Sequence, residues 1–126
     1  YAARGGNRSK GYKYAGSDTI DDVAWYDENT KEKGTGGTRE VKTKAPNGYG
    51  LYDMSGNVYE WCWDWYGSIS SSSAADGAAS SYFRVLRGGS WYGLDSFCRV
   101  AYRYNSNPNY LHYGFGFRVV RASSID

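Results

Sequence analysis

Hydrophobic and polar residues alternate with a period of two in one stretch near the middle of the chain. After the turn signal Ser55-Gly56-Asn57, an aromatic residue occupies every second position: Tyr59, Trp61, Trp63 and Trp65. The residues between them are Val58, Glu60, Cys62 and Asp64. A period of two places successive side chains on opposite faces of a strand. The pattern therefore predicts a β-strand with one strongly aromatic face.

Three further segments predict short strands. Residues 82–91 contain the pair Gly88-Gly89, which indicates a bulge or a close approach of the backbone. Residues 98–103 and 115–120 also favour strands, and in the last one Phe115, Phe117 and Val119 share a face. Two irregular stretches, 92–97 and 104–114, separate these strands.

The first fifty residues predict little regular structure. Ala2 to Arg4 precede Gly5-Gly6, as at the last turn of a helix that ends on glycine. Residues 18–26 favour a short helix or turn capped by Asp18 or Thr19. The polar, glycine-containing stretch 31–44 and the Ser/Ala-rich stretch 68–81 predict surface loops.

Composition agrees with short strands and ordered loops. The chain holds 14 Tyr, 5 Trp and 17 Gly in 126 residues, which fits a single domain. The stretches 92–97 and 104–114 are rich in Tyr, Asn, Ser and Gly, a composition typical of antibody binding loops. Any one of these tyrosines could equally be a core residue, because tyrosine also packs as a large hydrophobe.

Charge excludes some classes of function. The formal net charge is +2, and the cations are scattered: Arg4, Arg8, Lys10 and Lys13 at the start, lysines between 31 and 44, then single arginines. We interpret them as solvated faces, and we expect no nucleic-acid partner. No apolar run of about 18 residues is present, so no membrane span is expected in this chain.

Two cysteines and one histidine limit the chemistry. Cys62 and Cys98 are too few for a disulfide scaffold or a zinc site, and they either bridge each other or remain buried thiols. His112 alone offers no partner set for nucleophilic catalysis.

Several motifs, in order, resemble the formylglycine-generating enzyme domain. They are YAARGG (1–6), GYGLYDMSGNVYEWCWDWYG (48–67), RVLRGGSW (84–91), CRVAYR (98–103) and GFRVV (116–120). The resemblance implies an α+β C-type lectin fold with short strands and long ordered loops. It places residues 1–126 as one domain in the C-terminal part of the family's fold, with the N-terminal part lacking or supplied separately.

The family's catalytic pair does not carry over. Its two cysteines follow the RGGSW motif and bind copper, and the first of the two positions falls on Gly93 in this chain. The second falls on Cys98. We therefore expect a domain that is not an enzyme, and the alternative is a family member with divergent or lost oxidase activity.

Residues 92–115 also resemble the variable region of diversity-generating retroelement proteins, which share this fold. In such proteins, mutation at template adenines changes asparagine codons to codons for Tyr, Ser, Asp, Gly, His, Leu or Phe. Between the fixed-looking Trp91, Cys98-Arg99, Arg103, Asn107-Pro108 and Gly116-Phe117-Arg118, residues 92–97, 102, 104–106 and 109–115 all belong to that set or are unchanged asparagines. We expect ligand contacts from Tyr92, Gly93, Leu94, Asp95, Ser96, Phe97, Tyr102, Tyr104, Ser106, Tyr110, Leu111, His112, Tyr113 and Phe115.

The family also implies a calcium site in the segment YDMSGNVYE. Its ligands here would be the Asp53 and Glu60 side chains and the Gly56 and Val58 carbonyls, an all-oxygen set that suits calcium. The alternative is that the two carboxylates bind turn amides. No cofactor is otherwise expected.

Together these features predict a non-catalytic protein that presents a diversified, Tyr-rich binding surface on a rigid scaffold. We expect a cell-surface or extracellular location. The expected partner is a protein or other surface ligand, and the Tyr-rich loops could instead pack on the N-terminal segment absent from this chain.

Overall fold

Four short strands form the sheet of the computed structural model, which describes residues 1–31, 36–69 and 80–121. The strands are β1 (Tyr59–Trp65), β2 (Arg84–Arg87), β3 (Tyr104–Ser106) and β4 (Phe115–Gly116). Their order is β3-β2-β1-β4. Neighbours β1 and β2 are antiparallel, as are β2 and β3, whereas β4 runs parallel to β1.

The two strands predicted most clearly are present. The alternating aromatic stretch forms β1, and β2 ends directly before Gly88-Gly89. Both glycines have positive φ, 96° and 75°. A Cβ atom on Gly89 would lie 2.6 Å from the sulfur of Cys98. Of the two interpretations of this pair, close approach of the backbone is therefore the one that the structure supports.

The strand predicted over residues 98–103 is wrong. A 3₁₀ helix, Asp95–Cys98, ends there and turns follow it. The carbonyl of Cys98 accepts from the Ser55 hydroxyl, and the amide of Val100 donates to the Lys13 carbonyl. Because these backbone groups bind loops, no neighbouring strand pairs with them. The third strand lies instead at residues 104–106, inside a stretch predicted to be irregular.

The last predicted strand is much shorter than expected. Of residues 115–120, only Phe115 and Gly116 pair with β1, opposite Tyr59 and Glu60. Beyond them, Arg118 binds through its side chain, which donates to the carbonyl of Tyr52 and to Glu60 of β1, and the backbone does not continue the strand. Phe117 is 78% exposed and does not share the partly buried environment of Phe115.

Short helices and turns make up the first third. The 3₁₀ turn Ala2–Arg4 ends at Gly5 in the left-handed conformation, as predicted, and a second turn covers Gly6–Arg8. Helices α1 (Ile20–Val23) and α2 (Asp27–Lys31) follow. Thr19 occupies the N-cap of α1 without a side-chain capping bond. Within the described ranges, no helix is long and apolar enough to cross a membrane.

The core joins these helices to the segment after β2. Tyr14, Val23, Tyr26 and Cys98 form one buried cluster, against which Ile20 packs. Two buried hydroxyls fix the loops around it: the Thr30 hydroxyl donates to the carbonyl of Trp91 at 2.7 Å, and that of Ser55 donates to Cys98. Both of these hydroxyls thereby have a hydrogen-bond partner, as buried polar groups usually do.

Parts of the two predicted surface loops, residues 32–35 and 70–79, lie outside the described residues. So do residues 122–126.

Candidate ligand-binding surface

Six of the residues predicted to contact ligand form a group of rings, here called the aromatic surface, in which Tyr104 is connected to the others through the frame residue Tyr59. Its members are Tyr92, Tyr104, Tyr110, His112, Tyr113 and Phe115. They come from the segment after β2, from β3, and from the loop that leads into β4. The fold therefore brings together residues that lie up to 23 positions apart in the sequence.

His112 is at the centre of this group. Its ring centroid lies 4.1 Å from that of Tyr113, 4.9 Å from Phe115 and 5.2 Å from Tyr92. Its Nδ1 accepts the Gly114 amide at 3.1 Å and lies 3.4 Å from the Tyr92 hydroxyl. The Gly114 amide donates to Nδ1, and the Tyr92 hydroxyl lies beside the same atom. The histidine ring is thus held in one orientation.

Rings of the frame lie beneath the aromatic surface. Tyr59 of β1 is 3% exposed; Tyr104 stacks on it at 5.3 Å, and Phe115 meets it edge-on at 6.0 Å. Trp61 contacts Phe115 at 5.6 Å. Burial raises the pKa of Tyr59 well above its usual range, so its hydroxyl stays neutral. Tyr59 belongs to the alternating pattern that predicted β1. That pattern did not identify Tyr59 as a residue on which the rings of the site pack.

Several apolar side chains of the segment 92–115 extend into solvent. Leu111 is 92% exposed, Tyr113 70% and Leu94 57%. Tyr110 is 55% exposed and Tyr104 41%. A protein surface seldom groups so much exposed apolar area unless another molecule covers it. The outer ends of these side chains are therefore free to contact a ligand, while the segment itself packs on the frame.

A second group of predicted contact residues lies around the 3₁₀ helix Asp95–Cys98. Phe97 stacks on Tyr102 with centroids 4.9 Å apart. Asp95 accepts from the Tyr14 hydroxyl at 3.4 Å, and Ser96 is half-buried. Burial and the neighbouring Tyr104 both raise the pKa of Tyr102.

Two predicted contact residues are placed less favourably. Gly93 is buried, where its amide donates to the Ser90 carbonyl and its carbonyl accepts from Asp27. Ser106 is half-buried in β3, paired with Arg84. Ligand contact by these two residues, as by the others, stays a prediction.

The predicted calcium ligands are held by protein groups. Glu60 accepts from Arg118 through both carboxylate oxygens, at 2.6 to 3.1 Å, and Asp53 accepts the Lys42 amide at 2.8 Å. Arg118 also donates to the carbonyls of Tyr52 and Asp53. In this arrangement the Glu60 carboxylate does not fit calcium, because the Arg118 guanidinium already binds both of its oxygens. Calcium at these residues stays a prediction, and it requires Arg118 to release Glu60.

The two thiols do not form a disulfide with each other, and burial lowers their reactivity. Cys62 and Cys98 are both free, which agrees with the buried-thiol alternative. Cys98 is fully buried, and burial raises its pKa from 9.0 to about 12. Burial also raises the pKa of Cys62. A thiolate, the form that binds metals, is therefore disfavoured at both positions.

Comparison with known proteins places this site in a family. The model of the sulfatase-modifying factor enzyme 1-like domain matches residues 1–123. The chain belongs to the sulfatase-modifying factor enzyme 1-like domain family. The α+β C-type lectin fold predicted from the motifs is confirmed by the solved structures that this family domain resembles.

One of those structures is Treponema denticola variable protein 1, with a TM-score of 0.81 and 43% identity over 93% of this chain and 42% of that one. The formylglycine-generating enzyme of Streptomyces coelicolor is 38% identical over 99% of this chain and 45% of that enzyme. The serine/threonine-protein kinase pkn1 of Chlamydia pneumoniae is 44% identical over 69% of this chain and 15% of the kinase. This chain thus spans less than half the length of each of these relatives.

Proposed function

We propose that this chain is a non-catalytic ligand-binding domain whose segment 92–115 forms a diversified, tyrosine-rich surface on a rigid C-type lectin frame. One observation carries the proposal. Most of the aromatic residues whose types fit adenine-directed diversification group their rings together, and several residues of the same set have exposed side chains. The likeness to a variable protein supports it. We also propose a cell-surface or extracellular location, because a domain placed there can meet surface ligands.

The geometry suits binding in two respects. Exposed aromatic rings supply the residue types that dominate interface energetics. Their bases are fixed by Tyr59, Trp61 and Trp91, so little conformational entropy is lost when a ligand binds. A binding surface whose sequence changes needs such a frame, because the fold must remain stable with each new set of exposed side chains.

A display library tests this proposal. Leu94, Tyr104, Tyr110, Leu111 and Tyr113 would be randomised together with NNC codons, and the displayed chains selected against an unrelated folded protein. We expect most clones to remain folded and some to bind. A matched library randomises five exposed positions elsewhere: Tyr1, Val41, Ile69, Tyr82 and Phe83. Equal yields of binders from both libraries would contradict the proposal.

The second candidate function is oxidase chemistry, and the formylglycine-generating enzymes among the relatives favour it. Gly93 at one of the two cysteine positions and the neutral, buried Cys98 at the other argue against it. Oxygen consumption with a thiol peptide and copper separates the two functions. We expect no rate above that of a Cys98→Ser variant, whereas clear turnover would favour the enzyme.

A further inference from the structure

Two adjoining depressions lie beside the 3₁₀ helix Asp95–Cys98 and the first turns of the chain. One has a volume of about 390 Å³ and the other of about 190 Å³. Arg4 and Tyr12 line both, so the two depressions are neighbours on one grooved face of the molecule. We call it the basic groove, defined by Arg4, Arg8, Lys10, Tyr12, Lys13 and Arg99.

The lining of the basic groove carries five cationic side chains and no carboxylate. Four of these cations are predicted from the sequence to be scattered and solvated. The fifth, Arg99, is distant from them in the sequence and joins them only in the folded chain. In the part of the chain that the structure describes, none of the five makes an ion pair or a side-chain hydrogen bond.

Other arginines of the sheet region are used differently. Arg87 donates to the carbonyls of Ala101 and Tyr102, Arg103 donates to that of Gly67, and Arg118 binds Glu60. These side chains hold the frame together. Among the cations of the basic groove, Lys13 lies over the ring of Tyr14 at 5.3 Å. In the described part of the chain the other four make no ion pair, side-chain hydrogen bond or ring contact, so their charge is available to a ligand.

Two carboxylates lie near the groove and leave its charge in place. Asp18 accepts the Lys13 amide at 2.8 Å. Asp95 accepts from the Tyr14 hydroxyl and from the Ser96 amide. Both bind neutral donors rather than the cations of the groove, so a net positive charge remains along it.

We propose that the basic groove binds an acidic peptide segment of a protein ligand. Planar guanidinium groups match carboxylates in two-point hydrogen bonds, and the groove has the volume of an ordinary ligand site, about 300 to 1,000 Å³. Its half-buried tyrosines, Tyr12 and Tyr102, provide apolar contact for the stems of the acidic side chains. A nucleic acid is less favoured because the chain's net charge is only +2.

The groove also borders the segment 92–115, since Ser96 and Tyr102 line it. An acidic segment bound there therefore contacts fixed cations and residues proposed to vary. The inference does not rest on the proposed function, because the cations that carry it lie outside the set of residues proposed to vary.

Fluorescence anisotropy of a labelled hexaglutamate peptide tests this, with the whole chain at low salt and a hexaglutamine peptide for comparison. We expect saturable binding of hexaglutamate alone, weakened by salt of about 150 mM. The double variant Arg4→Gln/Arg99→Gln should weaken binding about 10-fold and Arg8→Gln about 3-fold. Arg121→Gln, an exposed arginine away from the groove, is the control and should leave the affinity unchanged. Melting temperatures check that each variant folds.

Three results would overturn the proposal. The first is no saturable binding of hexaglutamate by the unaltered chain. The second is equal weakening by Arg121→Gln and by the double variant, which would indicate general charge attraction. The third is tighter binding of a thymidine oligonucleotide of the same net charge that the double variant abolishes, which would assign the groove to nucleic acid.

Discussion

The ring of Tyr104 stacks on the ring of Tyr59, with centroids 5.3 Å apart and planes inclined by 30°. Tyr59 is 3% exposed and belongs to β1, whereas Tyr104 is 41% exposed and belongs to the segment proposed to vary. The buried frame and the proposed binding surface are therefore in direct contact through these two rings.

This boundary predicts unequal losses of stability. Tyr59→Ala should lower the free energy of unfolding by about 3 to 5 kcal/mol, because it removes a buried ring and leaves a cavity. Tyr104→Ala should lower it by about 1 kcal/mol, the usual worth of an aromatic contact. Urea denaturation measures both. Equal, large losses would mean that Tyr104 is a structural residue and that the loops pack as part of the core.

Gly50 and Gly56, both before β1, have the same φ of 76°. Replacement by alanine should nevertheless lower the stability by different amounts at the two positions. A Cβ on Gly56 would lie 2.4 Å from the Trp25 carbonyl oxygen, whereas a Cβ on Gly50 meets nothing within 4 Å. Both alanine variants incur the strain of the left-handed conformation, about 1 to 2 kcal/mol. Gly56→Ala should lose clearly more in thermal unfolding, and equal losses would show that the backbone around Trp25 yields easily.

The pairing of Arg118 with Glu60 predicts the response to calcium. With Arg118 in place, neither calcium nor a chelator should change the melting temperature, because the guanidinium binds the carboxylate that calcium would need. Arg118→Gln should lower the stability by about 1 kcal/mol and make it rise with added calcium. Arg121→Gln serves as the control. A chelator that destabilises the unaltered chain would show that calcium, not Arg118, holds this loop.

Burial of Cys98 predicts low thiol reactivity and a pH dependence. Its pKa is raised from 9.0 to about 12 in the folded chain, so the unfolded chain releases this proton first. Its contribution to stability is thus complete below about pH 9 and falls as the pH rises towards 12. At pH 8, iodoacetamide should modify the half-buried Cys62 before Cys98. Mass spectrometry of the digested protein checks the order, and early labelling of Cys98 would contradict its burial.

Local patterns predicted much of this fold because they depend on neighbouring residues. The alternation around Trp61 gave β1, and Gly5-Gly6 marked the end of a 3₁₀ turn. The strand predicted over 82–91 is present as β2, but it is shorter and ends before Gly88-Gly89. The strand expected at 98–103 failed for a non-local reason. Ser55 and Lys13, both far away in the sequence, bind the backbone there.

The site was predictable in part for the same reason. Residue types alone marked 92–115 as a candidate surface, since the restricted set of amino acids is a property of the sequence. The central place of His112, the support from Tyr59 and the meeting of Arg4 with Arg99 depend on the tertiary fold. No local pattern encodes such contacts.

Sequencing the 3′ end of this gene in many clones from its natural population tests the central claim most directly. Diversification predicts substitutions concentrated at Leu94, Tyr104, Tyr110, Leu111 and Tyr113, in codons whose template bases are adenine. Trp91, Cys98, Arg99 and Gly116 should stay constant. Absent or evenly spread variation would contradict the account and leave the tyrosine-rich loops as an ordinary fixed surface.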